Sequence, residues 1–527
     1  MPFSGSVLGI EGTAWNLSAA VFDNELVSLF SKPYKPAAGG IHPREAAQHH
    51  AAVMKEVITR VLTDPSTISG IAYSMGPGLG PCLRSVATAA RSLSLALGVP
   101  LIGVNHCIAH VEIGRYATGC DDPVVLYVSG ANTQVIGYLN SRYRVFGETL
   151  DIGLGNALDK FARSKGLPHP GGPVIEELAK SGSYIELPYT VKGMDLAFSG
   201  LVSAAKDSIA GMEDVCCSLQ ETAFAMCVEV AERALAHTGK EEVLLVGGVG
   251  ANTRLQEMLH VMAEDRGATF HVPEMRYLGD NGAMIAYTGR LMLEHGCTTP
   301  IEVSHINPSS RVDQIEVSWR TGWESPSPLH NEPVKEIHWT ARGAEAVVGF
   351  DGTFVSKRRC SKGYRVSGLD RRLISERTRT ESRLIAMARR AGVSTPVIRD
   401  ITEDTIMMEM VHGQAMKDTL TSGNAYEAGR TVGLLHSGGI VHGDLTTSNM
   451  IMREGTCVLI DFGLASATTE TEPRGVDLHV FFQTLESTTD NASNLKEAFK
   501  AGYSSEFEGS EEVFLREEEI LHRGRYL

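Results

Sequence analysis

The sequence lacks several features that would point to membranes, secretion or disulfides. It has no run of eighteen apolar residues, so no membrane-spanning helix is expected. Its start, MPFSGSVLGIEG, has no basic segment ahead of an apolar one and does not predict a signal peptide. The nine cysteines include no CxxC pair, which indicates reduced thiols in a cytoplasmic protein. The net charge of −15 argues against a chain that coats nucleic acid along its whole length.

A change in composition divides the chain into two predicted halves. The segment SPSPLHNEP has three prolines in nine residues and predicts an extended linker, 325–333, between domains at 1–324 and 334–527. In the first half, apolar strands end in glycine turns that open helices, which indicates an α/β architecture with ligands at the carboxyl ends of the strands. In the second half, the stretch from Lys357 to Arg399 holds thirteen Lys and Arg against three Asp and Glu. Such an excess is typical of a solvated helical face or of a surface for a phosphate-rich partner.

The most specific motif of the second half is VHGDLTTSNM, which LIDFG follows. Phosphoryl transfer needs a carboxylate near the nucleophile, and an Asn and an Asp that hold magnesium against the phosphates. Asp444 has the position of the base, and Asn449 and Asp461 have the positions of the magnesium ligands. Lys357, in TFVSKRR, is predicted on a strand, and Glu381 is predicted on a helix as its partner. Together these parts predict a site for ATP and Mg²⁺.

The second half also departs from the common protein kinases. Its phosphate-covering loop lacks a full GxGxxG, Gly443 stands where an Arg usually precedes the catalytic Asp, and no Ala-Pro-Glu follows Asp-Phe-Gly. The stretches GAEA, KGYR, GIVHGDLTTSNM and RGRY resemble the small atypical kinase of the KEOPS complex. The resemblance implies a bilobal α+β fold, with lobes at about 334–410 and 411–527, that acts mainly as an ATPase switch and also phosphorylates protein Ser or Thr. It implies that ATP is bound at Gly343, Ala344, Glu345, Ala346, Lys357 and Glu381.

The first half contains two imidazoles four residues apart, His106 and His110, in NHCIAH. On a helix this spacing places both on one face, as for one metal ion or for two ordinary polar positions. Zinc proteases use HExxH with the Glu as base, and here Cys107 takes that position. A metal-dependent glycoprotein endopeptidase with a regulatory kinase domain is therefore the second-ranked alternative. Tyr127, at a strand end, and Asp280, in a Gly-Asp-Asn-Gly turn, are the predicted further ligands.

Three glycine-containing loops follow predicted strands, namely GIEGTA, YVSGANTQV and VGGVGANTRL. Small residues there let backbone N–H groups reach a phosphate. With GPGLGPCLRSVATAARSL, NHCIAH, GNALDKFAR, PGGPVIEELA and LGDNGAMIA, they resemble the tRNA N6-threonylcarbamoyltransferase family over almost all of 7–323. The whole chain resembles the archaeal fusion of that transferase with the KEOPS kinase. The resemblance implies an actin-like ATPase (ASKHA) fold of the duplicated RNase H-like type.

The same resemblance implies a reaction and the residues that serve it. The threonylcarbamoyl group of threonylcarbamoyl-adenylate passes to N6 of adenosine at position 37 of tRNAs that read codons beginning with A, and AMP leaves. One iron or zinc ion is implied at His106, His110, Tyr127 and Asp280, and these ligand types do not decide between the two metals. Substrate contacts are implied at Tyr127, Val128, Ser129, Gly130, Ala131, Asp159, Gly172, Glu176 and Asn252.

The implied partners are tRNA, a separate enzyme that makes the adenylate, and other small KEOPS subunits, one of which dimerises. Candidate contacts to tRNA phosphates lie in the basic stretch and the tail, at Arg371, Arg372, Arg379, Arg523 and Arg525. A small-metabolite kinase in the first half and a non-catalytic scaffold in the second are the remaining alternatives. The sequence does not reveal the target of the kinase, the direction of regulation or the oligomeric state, and it presents no obvious base for the transfer.

Overall fold

The computed structural model describes residues 5–36, 40–139, 141–320, 341–350, 354–489 and 491–526. The chain separates into two compact units, one of residues 1–330 with 363–366 and one of residues 331–362 with 367–527. The predicted linker at 325–333 lies outside the described residues. Among the residues that are described, no helix combines the length and apolar character needed to cross a membrane.

The first unit contains two five-stranded sheets and one two-stranded ribbon. Its strands are β1 (Ser6–Glu11), β2 (Asn16–Phe22), β3 (Leu26–Pro33), β4 (Ile68–Gly76), β5 (Leu101–Asn105), β6 (Val124–Val128), β7 (Thr133–Leu139), β8 (Arg142–Glu148), β9 (Val191–Lys192), β10 (Asp195–Leu196), β11 (Glu242–Val246) and β12 (Thr269–His271). The order is β3-β2-β1-β4-β5 in one sheet and β8-β7-β6-β11-β12 in the other. In each, three consecutive strands pair antiparallel and two later strands add in parallel. The repeated topology agrees with the predicted duplicated fold.

Helices cover both faces of these sheets. They are α1 (Pro43–Val61), α2 (Gly80–Leu97), α3 (His106–Thr118), α4 (Leu154–Ser164), α5 (Gly171–Ala179), α6 (Ser199–Asp207), α7 (Met212–Thr238), α8 (Thr253–Arg266), α9 (Met275–Leu278) and α10 (Gly282–Glu294). Strand β1 shows why both faces are covered, because successive residues face opposite sides of the sheet and those from Val7 to Ile10 are all apolar. Leu8 packs in the core that includes α1 and α2, whereas Val7 packs in the core that includes α10.

The carboxyl ends of the parallel strands bring polar residues to one edge of the first sheet. Strand β1 ends at Glu11, and β5 ends at Asn105, directly before α3. The Asn105 side chain caps α3 by accepting hydrogen bonds from the amides of Cys107 and Ile108, each at 3.0 Å. This cap fixes the first turn of α3, so the two histidines of α3 lie at the same sheet edge as Glu11, the last residue of β1.

The second unit has an antiparallel sheet followed by a mainly helical part. Its strands are β13 (Ala341–Arg342), β14 (Ala346–Phe350), β15 (Phe354–Arg359), β16 (Ile398–Ile401), β17 (Thr405–Glu409), β18 (Gln414–Ala415), β19 (Ile440–Val441), β20 (Met450–Arg453), β21 (Thr456–Leu459) and β22 (Ser466–Ala467). Its helices are α11 (Ser367–Arg390), α12 (Ser422–Ser437), α13 (Thr471–Thr488), α14 (Ala492–Glu506) and α15 (Ser510–Tyr526). The five-stranded sheet has the order β13-β14-β15-β17-β16. An antiparallel sheet, a long helix and a helical core make up the predicted α+β kinase-like arrangement.

Candidate functional site

The side chains of His106, His110 and Asp280 converge in the first unit. One ligand atom from each lies within 4.8 Å of the others. The Asp280 Oδ1 atom is 3.5 Å from Nε2 of His106 and 3.2 Å from Nε2 of His110. Both imidazoles are buried, and both come from the first turns of α3, whereas Asp280 lies 170 residues beyond His110. The fold therefore brings these three predicted ligands to one focus.

Tyr127 stands beside this cluster at the end of β6. Its ring centroid is 5.2 Å from that of His110, and its hydroxyl oxygen is buried with no hydrogen-bond partner among the described residues. A buried hydroxyl without a partner costs roughly 1–3 kcal/mol, which a bound cation would offset. Two imidazoles, a carboxylate and a phenol are donors that iron and zinc accept. These four residues therefore fit a metal ion of either kind.

The turn that carries Asp280 is held at several points. The Asn16 side chain donates a hydrogen bond to the Asp280 carbonyl oxygen at 2.7 Å. Asn281 caps α10 by accepting from the Met284 amide at 3.0 Å. At Gly282 a Cβ would lie 2.5 Å from the carbonyl carbon of Ala19, so only glycine permits this close approach to β2. The carboxylate is therefore placed by the backbone around it.

Glu11 lies beside this cluster and is not among the predicted site residues. Its Oε2 atom lies 3.1 Å from Nδ1 of His106, and its Oε1 atom accepts hydrogen bonds from the Thr13 amide and hydroxyl at 2.7 Å each. The loop GIEGTA, expected to offer its amides to a phosphate, therefore presents the Thr13 amide to Glu11. A carboxylate on Nδ1 orients an imidazole so that Nε2 faces a metal. The signal available in the sequence was an acid at the end of an apolar strand, and the structure shows that this acid is fully buried.

The charges in this cluster shift the pKa values of its members. Burial alone would lower the pKa of His106, but the charges of Glu11 and Asp280 outweigh it and raise that pKa to about 9. Burial lowers the pKa of His110 and raises the pKa of the Tyr127 phenol well above its ordinary value. Because metal ligands must give up these protons, an ion that binds His106 and Tyr127 displaces protons from them.

Replacing Glu11 with Gln is expected to weaken metal binding about 10- to 100-fold, since the carboxylate that orients His106 is lost. Titration of the metal-free protein with Zn²⁺, followed by elemental analysis, measures the effect. Glu25→Gln, at an exposed position of the same unit, is the matched control. An unchanged zinc affinity in Glu11→Gln would exclude a supporting role for Glu11.

The end of β6 and the loop after it contain the predicted substrate residues Tyr127, Val128, Ser129, Gly130 and Ala131. Gly130 and Ala131 are exposed, whereas Val128 is buried. The carbonyl oxygens of Ser129 and Gly130 accept from the amides at the start of α4, at 3.0 and 2.8 Å. The loop thus reaches solvent while its backbone is tied to α4.

Glycines allow two neighbouring segments to touch this loop. At Gly153 a Cβ would lie 2.4 Å from the Ala131 carbonyl carbon. At Gly247, where φ is +94°, it would lie 2.3 Å from the Val128 carbonyl oxygen. Both positions exclude any side chain. The second and third predicted phosphate loops therefore lie in direct contact.

The predicted adenosine-binding residues lie at helix starts or accept hydrogen bonds from them. Asp159 accepts from the Gly171 amide at 2.7 Å, at the first residue of α5. Glu176 accepts from the amide and hydroxyl of Thr253, at 2.8 and 2.5 Å, where α8 begins. Asn252 is the cap of α8 and is buried. At Gly172 a Cβ would meet only Leu158, at 3.9 Å. The structure thus links Glu176 and Asn252 through the start of α8, and it places Asp159 at the start of α5 beside Gly172.

In the second unit, the predicted kinase residues form a connected network. Lys357 Nζ lies 2.7 Å from Oε1 of Glu381 and 2.6 Å from Oδ1 of Asp461. The side-chain amide of Asn449 donates a hydrogen bond to Oδ2 of Asp444 at 2.9 Å. Burial would lower the pKa of Lys357, but the charges of Asp461 and Glu381 raise it. Lys357 therefore forms ion pairs with both Glu381 and Asp461.

The structure explains why glycine replaces the usual Arg before Asp444. Gly443 has φ of +77°, and a Cβ there would lie 2.3 Å from the Leu464 carbonyl oxygen. The amides of His442 and Gly443 donate to the buried carboxylate of Asp477, at 2.5 and 2.8 Å. The segment that carries Asp444 thus lies against the Asp461 loop, too close for any side chain at 443.

The five arginines predicted to meet tRNA phosphates differ in their surroundings. Arg371 and Arg379 lie on α11 and are exposed. Arg372 is partly buried. The side chains of Arg523 and Arg525 lie outside the described residues. Several other cations of the basic stretch are buried in ion pairs, including Lys357 and Arg359. The charge excess counted along the sequence therefore overstates the positive charge at the surface.

Comparison with known proteins places both units in recognised classes. Residues 25–287 match the family described as tRNA N6-adenosine threonylcarbamoyltransferase, and residues 355–476 match the RIO domain. The chain thus has an actin-like ATPase-type transferase domain followed by a RIO kinase-like domain, as predicted.

Curated relatives match the chain over its whole length. Those from Methanoculleus marisnigri, Methanospirillum hungatei and Methanocorpusculum labreanum are 68%, 64% and 63% identical, and each alignment covers at least 99% of both chains. Each carries the name probable bifunctional tRNA threonylcarbamoyladenosine biosynthesis protein. The chain belongs to this family of bifunctional proteins.

Proposed function

We propose that the first unit transfers the threonylcarbamoyl group of threonylcarbamoyl-adenylate to N6 of adenosine 37 in tRNAs that read codons beginning with A, with release of AMP. The observation that carries this proposal is the focus shared by His106, His110 and Asp280, with the Tyr127 hydroxyl buried beside it. Family membership supports the chemistry. The endopeptidase alternative lacks a general base, because Cys107 takes the Glu position of HExxH and its thiol is buried.

The four residues would hold one iron or zinc ion. When bound, such an ion polarises a carbonyl or orients a carboxylate and a hydroxyl. Glu11 keeps the His106 ring in place through Nδ1, and burial excludes water from the imidazoles. The protein itself would thus hold the reacting carbonyl in a site that excludes water and has a fixed arrangement of donor groups.

The rest of the adenylate would lie along the loop at 127–131 and the starts of α5 and α8. Backbone N–H groups at helix starts attract a phosphate, and the exposed Gly130 and Ala131 leave their backbone accessible. Asp159 and Glu176 each accept backbone hydrogen bonds and retain lone pairs for ribose hydroxyls. The target adenosine must leave the anticodon-loop stack to reach this site.

A direct assay tests the transfer. The purified chain is incubated with threonylcarbamoyl-adenylate made from labelled threonine and with unmodified tRNA, and the tRNA is then digested to nucleosides. Labelled threonylcarbamoyladenosine in the digest is the expected product, and a tRNA that lacks adenosine at position 37 is expected to yield none. Release of labelled threonine without modified nucleoside would contradict the proposal, as would cleavage of a glycoprotein that His106→Ala abolishes.

The second unit would bind ATP with Mg²⁺ and regulate the transferase, and it would also phosphorylate protein Ser or Thr. Asp444 would act as base, and Asn449 and Asp461 would hold the magnesium. Lys357, paired with Glu381, would meet the phosphates under the loop at 343–346. The domain boundaries at 1–324, 325–333 and 334–527 belong to the same proposal. So do a cytoplasmic location, a separate adenylate-forming enzyme and small KEOPS subunits as partners.

Exposed arginines of α11 would contact tRNA phosphates. Reversing Arg371 and Arg379 together to Glu is expected to weaken tRNA binding roughly tenfold or more at low salt and to flatten its salt dependence, because two phosphate contacts are lost. Binding of labelled tRNA at several salt concentrations measures this. Lys417→Glu, an exposed position outside the basic stretch, serves as the control. Equal affinity of the double variant and the wild type would remove α11 from the tRNA surface.

A further inference from the structure

A second buried cation lies beside Lys357 in the second unit. Arg359 is two residues further along β15, so its side chain points to the same face of the sheet as that of Lys357. Both side chains are buried, while Arg358 between them is exposed. The kinase-like stretch TFVSKRR ends at Arg359, but only its Lys357 has a predicted role. Burying a guanidinium is costly, so its surroundings must compensate for the lost water.

Two carboxylates hold the Arg359 guanidinium. Its Nη2 lies 2.6 Å from Oε2 of Glu381, and its Nη1 lies 2.7 Å from Oε2 of Glu345. The other oxygen of Glu381 pairs with Lys357 at 2.7 Å, and the other oxygen of Glu345 lies 3.4 Å from Arg377. A planar guanidinium can bind two carboxylates in fixed directions, which the point charge of a lysine does not reproduce. The covering loop is therefore tied to β15 and α11 through Arg359.

The same guanidinium lies next to the predicted magnesium loop. A Cβ placed on Gly463 would be 3.1 Å from Asp461 Oδ1, 3.3 Å from Lys357 Nζ and 3.6 Å from Arg359 Nη2. One point is thus surrounded by two cationic nitrogens, from Lys357 and Arg359, and by the Asp461 carboxylate that is predicted to bind magnesium. Phosphoryl transfer concentrates negative charge at such a point, where an additional arginine stabilises it.

We propose that Arg359 is a second phosphate-binding cation of the nucleotide site, held ready by Glu345 and Glu381. This inference rests on the proposed ATP site and adds a residue to it. The covering loop GAEA lacks the GxGxxG motif, whose backbone usually lies over the phosphates. Arg359 supplies the hydrogen-bond donors that such a backbone would otherwise provide. Glu345 couples the loop to this cation, so the loop and the phosphates are positioned together.

Binding of a nucleotide series to the full chain tests the proposal. The dissociation constants of ATP, ADP, AMP and adenosine, with Mg²⁺ present, are measured by calorimetry for the wild type, Arg359→Lys and Arg358→Lys. Arg359→Lys is expected to weaken ATP and ADP about tenfold or more and to change adenosine less than about twofold, because lysine cannot make the bidentate contact. Arg358→Lys, on the exposed face of the same strand, is expected to match the wild type.

The pattern across the series separates the alternatives. An equal loss for ATP and adenosine in Arg359→Lys would show that Arg359 only supports the fold, and no loss at all would also overturn the inference. Lys357→Met reports on the proposed site itself, because Lys357 is the cation already assigned to it. A wild type that binds no ATP would contradict that site independently of Arg359. If Arg359→Lys does not fold, Glu345→Gln carries the test, with the same selective loss of ATP over adenosine expected.

Discussion

Replacing His110 with Ala is expected to lower threonylcarbamoyl transfer by about three orders of magnitude. His110 is fully buried, and its Nε2 lies 3.2 Å from Asp280, at the focus of the proposed metal ligands. A Lewis-acid ion contributes several kcal/mol to the reaction, and each 1.4 kcal/mol corresponds to about a factor of ten in rate. The initial rate of labelled threonylcarbamoyladenosine formation measures the loss, and elemental analysis of the same preparation is expected to show little iron or zinc.

Two further variants make this result specific. His237→Ala removes an exposed imidazole near the end of α7 and is expected to keep both the metal and the activity. His110→Gln retains most of the side-chain volume and guards against a cavity that would destabilise the unit. Transfer at the wild-type rate in His110→Gln, with iron and zinc absent, would refute the role of these ligands in the reaction.

Replacing Asp461 with Asn is expected to reduce ATP hydrolysis by about three orders of magnitude, since a carboxylate that neutralises and places magnesium is lost. Asp461 has φ of +60° and pairs with Lys357 at 2.6 Å. Asparagine tolerates this backbone conformation, so the substitution changes charge with little strain. Phosphate release at saturating Mg-ATP measures the effect.

The control for Asp461→Asn is Asp418→Asn, an exposed acid of the same unit. Its ATP turnover is expected to equal that of the wild type. ATP hydrolysis at the wild-type rate in Asp461→Asn would overturn the catalytic assignment of the site around Asp461. Measuring threonylcarbamoyl transfer in the same variant, with and without ATP, reports the direction in which the second unit regulates the first.

The sequence was most informative where a short motif determines its own geometry. The i, i+4 spacing of His106 and His110 predicted a shared helix face, and α3 provides it because Asn105 caps its first turn. The α/β architecture followed from apolar strands that end in glycine turns, whereas the duplicated fold, with which the two repeated sheets agree, was implied by the family resemblance. In the second unit, the strand position of Lys357 and the helix position of Glu381 were sufficient to predict their pairing.

The sequence was less informative about long-range contacts and side-chain direction. Glu11 had no predicted role, because only the folded structure shows that its carboxylate faces His106. The basic stretch was interpreted in part as a surface for tRNA phosphates, yet Arg359 within it points inward to Glu345 and Glu381. A count of charges along a chain does not record which face of a strand each side chain occupies.

The position of α10 has a consequence for the synthesis of the chain. This helix, Gly282–Glu294, follows Asp280 directly and packs Met284 and Ala286 against Val7 and Ala72 of the first sheet. The amino-terminal sheet therefore cannot complete its core until almost three hundred residues have left the ribosome. Asp280 comes just before this helix, so a nascent chain gathers the proposed metal ligands only at this late stage of its synthesis.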